Sequence, residues 1–142
     1  MLKNILQACE NFCVHQIRLP HTIDDAQTKK RTLIAYLDIN TAEGREYRVY
    51  IAAEPGFVQR VSKLFLEEDE SDEETLIDMT LEVTNLIVGS AKVIAAENVV
   101  NAYTIGTPHF LKTDIFDYQS DFSQTLRVEN DAIMIAIKEL NG

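Results

Sequence analysis

Two segments rich in β-branched and aromatic residues, 31–40 (RTLIAYLDIN) and 46–53 (EYRVYIAA), are separated only by Thr41-Ala42-Glu43-Gly44-Arg45. A short, glycine-containing connection between two such runs signals a β-hairpin. The first strand constrains the fold most, because it is apolar on both faces. Leu33, Ala35 and Leu37 alternate with Ile34 and Tyr36. A sheet built on such strands needs cover on both sides, at least in part.

Helices are available to supply that cover. Leu2, Ile5, Leu6, Cys9, Phe12 and Cys13 recur at helical spacing and predict a helix over the first dozen residues. The stretch from Ile17 to Lys30, which contains Pro20, reads as a loop or an edge strand. Pro55 has favourable geometry for the first turn of a helix. Phe57, Val58, Val61, Leu64 and Phe65 form the apolar stripe of that helix. Ser71 with Glu74 predicts a capping box, followed by a long helix from about Asp72 to Glu97. Further strands are expected at 99–105, 122–128 and 132–139, the last two joined by the turn triplet Glu129-Asn130-Asp131. This order predicts an α+β fold, with helices packed on a mostly antiparallel sheet. The 142 residues suit one domain, residues 1–142, with a single sizeable core.

The formal net charge is −10, and an acidic surface repels phosphate backbones, so nucleic acid is excluded as a partner. No segment is long and apolar enough to span a bilayer, so no membrane partner is expected. The opening Met-Leu-Lys-Asn-Ile-Leu-Gln lacks the continuous apolar core of a signal peptide, and the expectation is a cytoplasmic protein. Cys9 and Cys13, the only cysteines, fall on one side of the first helix and are expected to be buried and reduced. They match no metal-ligand spacing with His15 and His21. Seven of the eight residues from Glu67 to Glu74 are acidic, the pattern of a solvated connection, with electrostatic guidance of a basic partner as the sharper alternative.

Chemistry concentrates on the long helix. At ~3.6 residues per turn, Asp78, Glu82, Asn85, Gly89 and Lys92 share one stripe. Leu76, Val83, Ile87, Ser90 and Ile94 form the expected core-facing stripe. Glu82 and Asn85 are therefore expected to point outward, about one turn apart. Any amphipathic helix has such a polar face. Gly89 is less ordinary, since glycine within a helix costs ~1 kcal/mol relative to alanine. On the exposed stripe, it would allow another surface to come close to Asn85.

Asp78, three residues, Glu82, two residues, Asn85, and then Pro108 after a gap of twenty-two residues resemble the signature of the CheC/CheX/FliY phosphatases. Asn85-Leu-Ile-Val-Gly89-Ser-Ala91 and Ile105-Gly106-Thr107-Pro108 resemble the surroundings of that signature. The chain carries it once, as CheX members do, whereas CheC-like members typically carry two copies. The resemblance implies a homodimer formed through the sheets, to which Ile133, Ile135 and Ile137 could contribute, or else belong to the core.

The resemblance further implies the function: removal of the phosphoryl group from the aspartate of a CheY-like response regulator in chemotaxis. Asn85 would orient the attacking water, since a carboxamide both donates and accepts hydrogen bonds. Glu82 would pair with the receiver's active-site lysine. Asp78, Gly89 and Pro108 would belong to the partner-binding surface, with Pro108 shaping its turn. The chain would need no cofactor of its own, Mg²⁺ being supplied by the receiver. His109, next to Pro108, is read as a surface or loop histidine, with a general-acid role as the alternative, and the tyrosines at 36, 47 and 50 as sheet packing. The alternative function is a receiver-binding adaptor or flagellar-switch component without hydrolysis.

Overall fold

A computed structural model describes residues 2–96 and 103–141. Helix α1 (Leu2–Phe12) runs directly into a π-helical turn, Cys13–Ile17, which ends at Arg18 in the left-handed conformation with φ 61°. Strand β1 (Thr22–Asp24) follows, then β2 (Arg31–Thr41) and β3 (Glu46–Ala53). Helices α2 (Pro55–Leu66) and α3 (Glu73–Ala96) precede β4 (Tyr103–Ile105), β5 (His109–Ile115), β6 (Phe122–Val128) and β7 (Asp131–Glu139). The expected α+β class is correct. Among the described residues, the sheet has seven strands in the order β1-β6-β7-β3-β2-β4, β5 also pairs with β2, and every pairing is antiparallel.

The hairpin forms as expected. Thr41 accepts the Gly44 N–H at 3.0 Å and donates its own N–H to the Arg45 carbonyl at 2.9 Å. Gly44 has φ 86°, a conformation that costs a residue without a Cβ little. The register then places Asn40 opposite Glu46, Asp38 opposite Arg48 and Tyr36 opposite Tyr50.

The two apolar faces of the hairpin receive different cover. Leu33, Leu37, Ile39, Val49 and Ile51 join Leu126, Ile133, Ile135 and Ile137 on the face covered by the helices. Burying each such side chain contributes ~1.5–3 kcal/mol. Ile133, Ile135 and Ile137 are thus core residues. On the other face, Ile34, Tyr50, Ala52, Met134 and Ala136 pack under Phe116, with Tyr118 beside them. These aromatics come from the connection between β5, beside β2, and β6, beside β7. That connection therefore crosses the second face, and Tyr118 stacks on Tyr50 at 5.1 Å.

Several local expectations need correction. Leu64 and Phe65 are 47% and 38% exposed, so the buried stripe of α2 is Phe57, Val58, Val61 and Ser62. Ser71 does not cap α3. Asp72 does, its Oδ1 accepting the Thr75 N–H at 2.8 Å, while the Ser71 hydroxyl lies 2.7 Å from that of Ser62. The stretch 109–115 is an additional strand, β5, which the sequence pattern does not reveal. The long helix is described to Ala96 and the strand expected at 99–105 from Tyr103, so Glu97 and residues 99–102 lie outside the described residues. Cys9 and Cys13 are buried and free. A hydrogen bond with Cys13, followed by burial, pushes the Cys9 thiol well above its ordinary value.

Candidate functional site

Helix α3 lies on the helix-side face of β2 and touches both β4 and β5. Thr80, Val83, Thr84, Ile87, Val88, Ala91 and Ala95 are its buried residues. Thr80 and Thr84 can face the core because each hydroxyl donates to the carbonyl one turn earlier, at 2.8 Å. The stripe expected to point inward is therefore partly wrong. Val83 and Ile87 are buried, Leu76 and Ile94 are half-buried, and Ser90 is exposed.

Asp78, Glu82 and Asn85 are exposed, while Gly89 and Lys92 are half-buried. Among the described residues, no hydrogen bond or ion pair engages the Glu82 carboxylate or the Asn85 carboxamide. Both groups are thus available to a partner. Among the described residues, a Cβ added at Gly89 would meet nothing within 4 Å beyond its own helix backbone, so the glycine leaves open space on this face.

The flanks of α3 differ. Glu82, Leu86, Ile87 and Ser90 line a cleft of about 420 Å³ against Asn11, His15 and other residues of α1 and its π-helical turn. Leu86 and Ser90 lie about 40° and 80° to one side of Glu82 around the helix, and Asn85 about 60° to the other. Asn85 therefore sits on the flank away from the cleft. The cleft was missed at the sequence level, since only the packing of α1 on α3 creates it. The polar residues Asn11, His15 and Gln16 near the end of α1 were its one visible trace.

Pro108 lies between β4 and β5, and is half-buried. Ile105 pairs with Ile39, and His109 pairs with Tyr36. Residues 106–108 therefore face only Leu37 and Asp38, and the edge strand bulges by one residue. Such a bulge on an edge is where a proline, lacking an N–H, is tolerated. Gly106 donates its N–H to the Asp38 carbonyl at 2.9 Å. Phe110 packs against the helix-side core, so Pro108, two residues earlier, shares its face. The fold thus brings Pro108 to the same side of the sheet as α3, along the edge that α3 touches.

A group of residues behind this bulge also escaped the sequence reading. Arg48 holds Asp38 through Nε at 2.8 Å and Nη2 at 3.0 Å, and its guanidinium lies 4.1 Å from the centre of the Tyr36 ring. Tyr36 stacks on His109 at 5.2 Å. The hairpin register could have revealed the Asp38–Arg48 pair.

Among the described residues, no group of three or more His, Cys, Asp or Glu side chains converges as a metal site. No helix among them is long and apolar enough to cross a membrane.

Comparison with known proteins bears on the fold and the family. Among solved structures, the chain is similar to the chemotaxis protein CheX from Vibrio vulnificus, with 18% identity and a TM-score of 0.74 over 96% of this chain and 98% of that one. CheX from Desulfovibrio desulfuricans gives 15% identity and a TM-score of 0.75 over 97% of each chain. A CheX–CheY–BeF3–Mg2+ complex from Borrelia burgdorferi gives 15% identity and a TM-score of 0.69, again over 97% of each. At these identities the likeness is one of fold. No curated protein matches the chain significantly. The family model for chemotaxis phosphatase CheX matches residues 39–138, well over half of the sequence, and the chain belongs to the CheX family.

Proposed function

We propose that this chain, acting as one domain, hydrolyses the aspartyl phosphate of a CheY-like receiver. The observation that carries this reading is the pairing of an unengaged Glu82 carboxylate with an unengaged Asn85 carboxamide on the exposed face of α3, in a chain of the CheX family. In this reading, Glu82 pairs with the receiver's active-site lysine and sets the depth to which Asn85 enters. Asn85 holds a water in line with the phosphorus. The water oxygen forms a bond to phosphorus as the bond to the aspartyl oxygen breaks, leaving the carboxylate and inorganic phosphate. Asparagine does not titrate, so its contribution is placement of the nucleophile, on which phosphoryl transfer depends heavily. Gly89 gives the receiver clearance, Asp78 meets its rim, and Pro108 shapes the adjoining edge. Mg²⁺ belongs to the receiver, where it would offset phosphoryl charge.

The same reading includes a cytoplasmic homodimer formed through the sheets, checked by sedimentation. The decisive experiment follows phosphate loss from a phosphorylated receiver with wild type, Asn85→Ala or no added protein. Acceleration by wild type alone is expected. Full activity in Asn85→Ala would reject the mechanism. Binding without acceleration by wild type would make the chain an adaptor.

A further inference from the structure

We propose that Arg48, Tyr36 and His109 are positioning residues that clamp the Pro108 bulge beside α3. The functional consequence of this clamp rests on the phosphatase reading above. The bulge is fastened at two points on β2. At its start, the Gly106 N–H reaches the Asp38 carbonyl at 2.9 Å. At its end, His109 pairs with Tyr36 and stacks on its ring at 5.2 Å, with 29° between the planes. One guanidinium holds both anchoring residues. Arg48 grips the Asp38 carboxylate at 2.8 and 3.0 Å, and lies 4.1 Å from the Tyr36 ring centre.

The strand order explains how this is possible. β3, which carries Arg48, and β5, which carries His109, flank β2 on opposite sides. The Tyr36 ring therefore has a cation on one side and an imidazole on the other. Arginine suits this position because its planar fork can bind a carboxylate in bidentate fashion and still lie over a ring. Tyr36 packs with the second-face cluster, so the stacked His109 ring lies on the sheet face away from α3. It is behind the bulge relative to Asn85, where it can steady Pro108 but not exchange a proton with a substrate on α3. Since Asn85 occupies the flank away from the cleft, a shifted edge would alter the surface against which the receiver seats. Small displacements there cost rate.

The test uses the full chain with His109→Ala and His109→Phe, the latter retaining an aromatic ring without a titratable nitrogen. Two readouts are followed: hydrogen exchange of the Gly106 amide, and turnover at saturating phosphorylated receiver. His109→Ala is expected to speed exchange and lower turnover, each by about threefold to tenfold, the factor associated with an aromatic contact of this kind. His109→Phe should restore both readouts. Exchange unchanged in His109→Ala, or a His109→Phe variant as impaired as His109→Ala, overturns the clamp. A wild type that fails to accelerate phosphate loss removes the phosphatase reading instead, while Gly106 exchange still decides whether the clamp exists.

Discussion

Glu82 and Asn85 stand three residues apart on the exposed face of α3, yet Glu82 lines the cleft against α1 while Asn85 occupies the other flank. The anchoring role proposed for Glu82 and the water-placing role proposed for Asn85 can therefore be tested separately. Glu82→Gln keeps the shape but removes the charge available to a receiver lysine. A charge-assisted hydrogen bond contributes ~1.5–3 kcal/mol, so receiver affinity should fall at least about tenfold. Asn85→Ala should leave affinity within about twofold, since placing a water contributes to the transition state rather than to binding. Receiver titrations by fluorescence anisotropy measure both, and equal losses in the two variants would contradict the division of roles.

Gly89 separates stability from function. The Cβ of an alanine at this position meets no neighbour outside its own helix backbone among the described residues, and alanine removes the conformational cost of a glycine within a helix. Gly89→Ala should raise stability by ~0.5–1 kcal/mol in urea unfolding. Gly89→Leu extends the side chain into the space proposed for the receiver. It should weaken receiver binding while leaving stability near that of the alanine variant. Tight binding by Gly89→Leu would show that the partner does not approach this part of α3.

Gly56 has a different reason for lacking a side chain. A Cβ there would overlap the Asp131 carboxylate, which accepts a 2.7 Å hydrogen bond from Arg60 Nε. Asp131 must move if Gly56 becomes alanine, and the tie between α2 and β7 loosens. Gly56→Ala should cost ~1–3 kcal/mol, as overpacking does. The companion Asp131→Ala removes the obstacle, so the double variant should lose less than the sum of the single losses in urea unfolding.

The fold was legible where one pattern dominated. The hairpin strands alternate cleanly around a glycine turn, and α3 combines an acidic first turn with a long apolar stripe. β5 was hidden by its irregularity. It follows a proline, pairs with β2 on one side and shifts register between Ile34 and Ala35, so His109-Phe-Leu-Lys-Thr-Asp-Ile115 shows no steady alternation. The cap was misplaced by one residue because Ser71 and Asp72 are both good capping residues, and only the fold shows that Ser71 is engaged with Ser62, Glu68 and Gln59. Glu82 and Asn85 could be placed outward from spacing alone. Periodicity put Ser90 in the core because it cannot see that α1 leaves a cleft beside it. The clamp behind Pro108 depends on three strands meeting, which local sequence does not record.

The acidic run leads to a prediction about rate rather than affinity. Glu67, Glu68, Asp69 and Glu70 are exposed just before α3, and Lys63 pairs with Asp69 at 3.1 Å. If this charge guides a basic partner, replacing Glu67, Glu68 and Glu70 with glutamine should slow association at low ionic strength, while dissociation changes little. The difference should shrink at higher salt, as screening shortens the reach of the charges. Stopped-flow association at two salt concentrations measures it. Identical salt dependence in the variant and wild type would leave the run as a solvated connection.

Acid should weaken the fold through two carboxylates at the ends of elements. Asp24 accepts from Arg127 Nε at 3.0 Å and from the Ala26 N–H at 2.9 Å, and these bonds hold its carboxyl below the ordinary 3.8, with Arg127 the larger cause. Asp72 is likewise held below 3.8, by Thr75 at the start of α3. Both folded values are depressed, so the folded state binds these protons less readily than the unfolded chain. Their stabilising contribution is complete above the ordinary value and is lost as the pH falls through the depressed ones. Urea unfolding from pH 6 to pH 3 should therefore show a falling midpoint, with the loss concentrated below about pH 4. Asp24→Asn and Asp72→Asn should each start lower at pH 6 and fall less steeply. A variant as steep as wild type would mean that its carboxylate contributes nothing to the acid sensitivity, and that β1 or the first turn of α3 is held by other contacts.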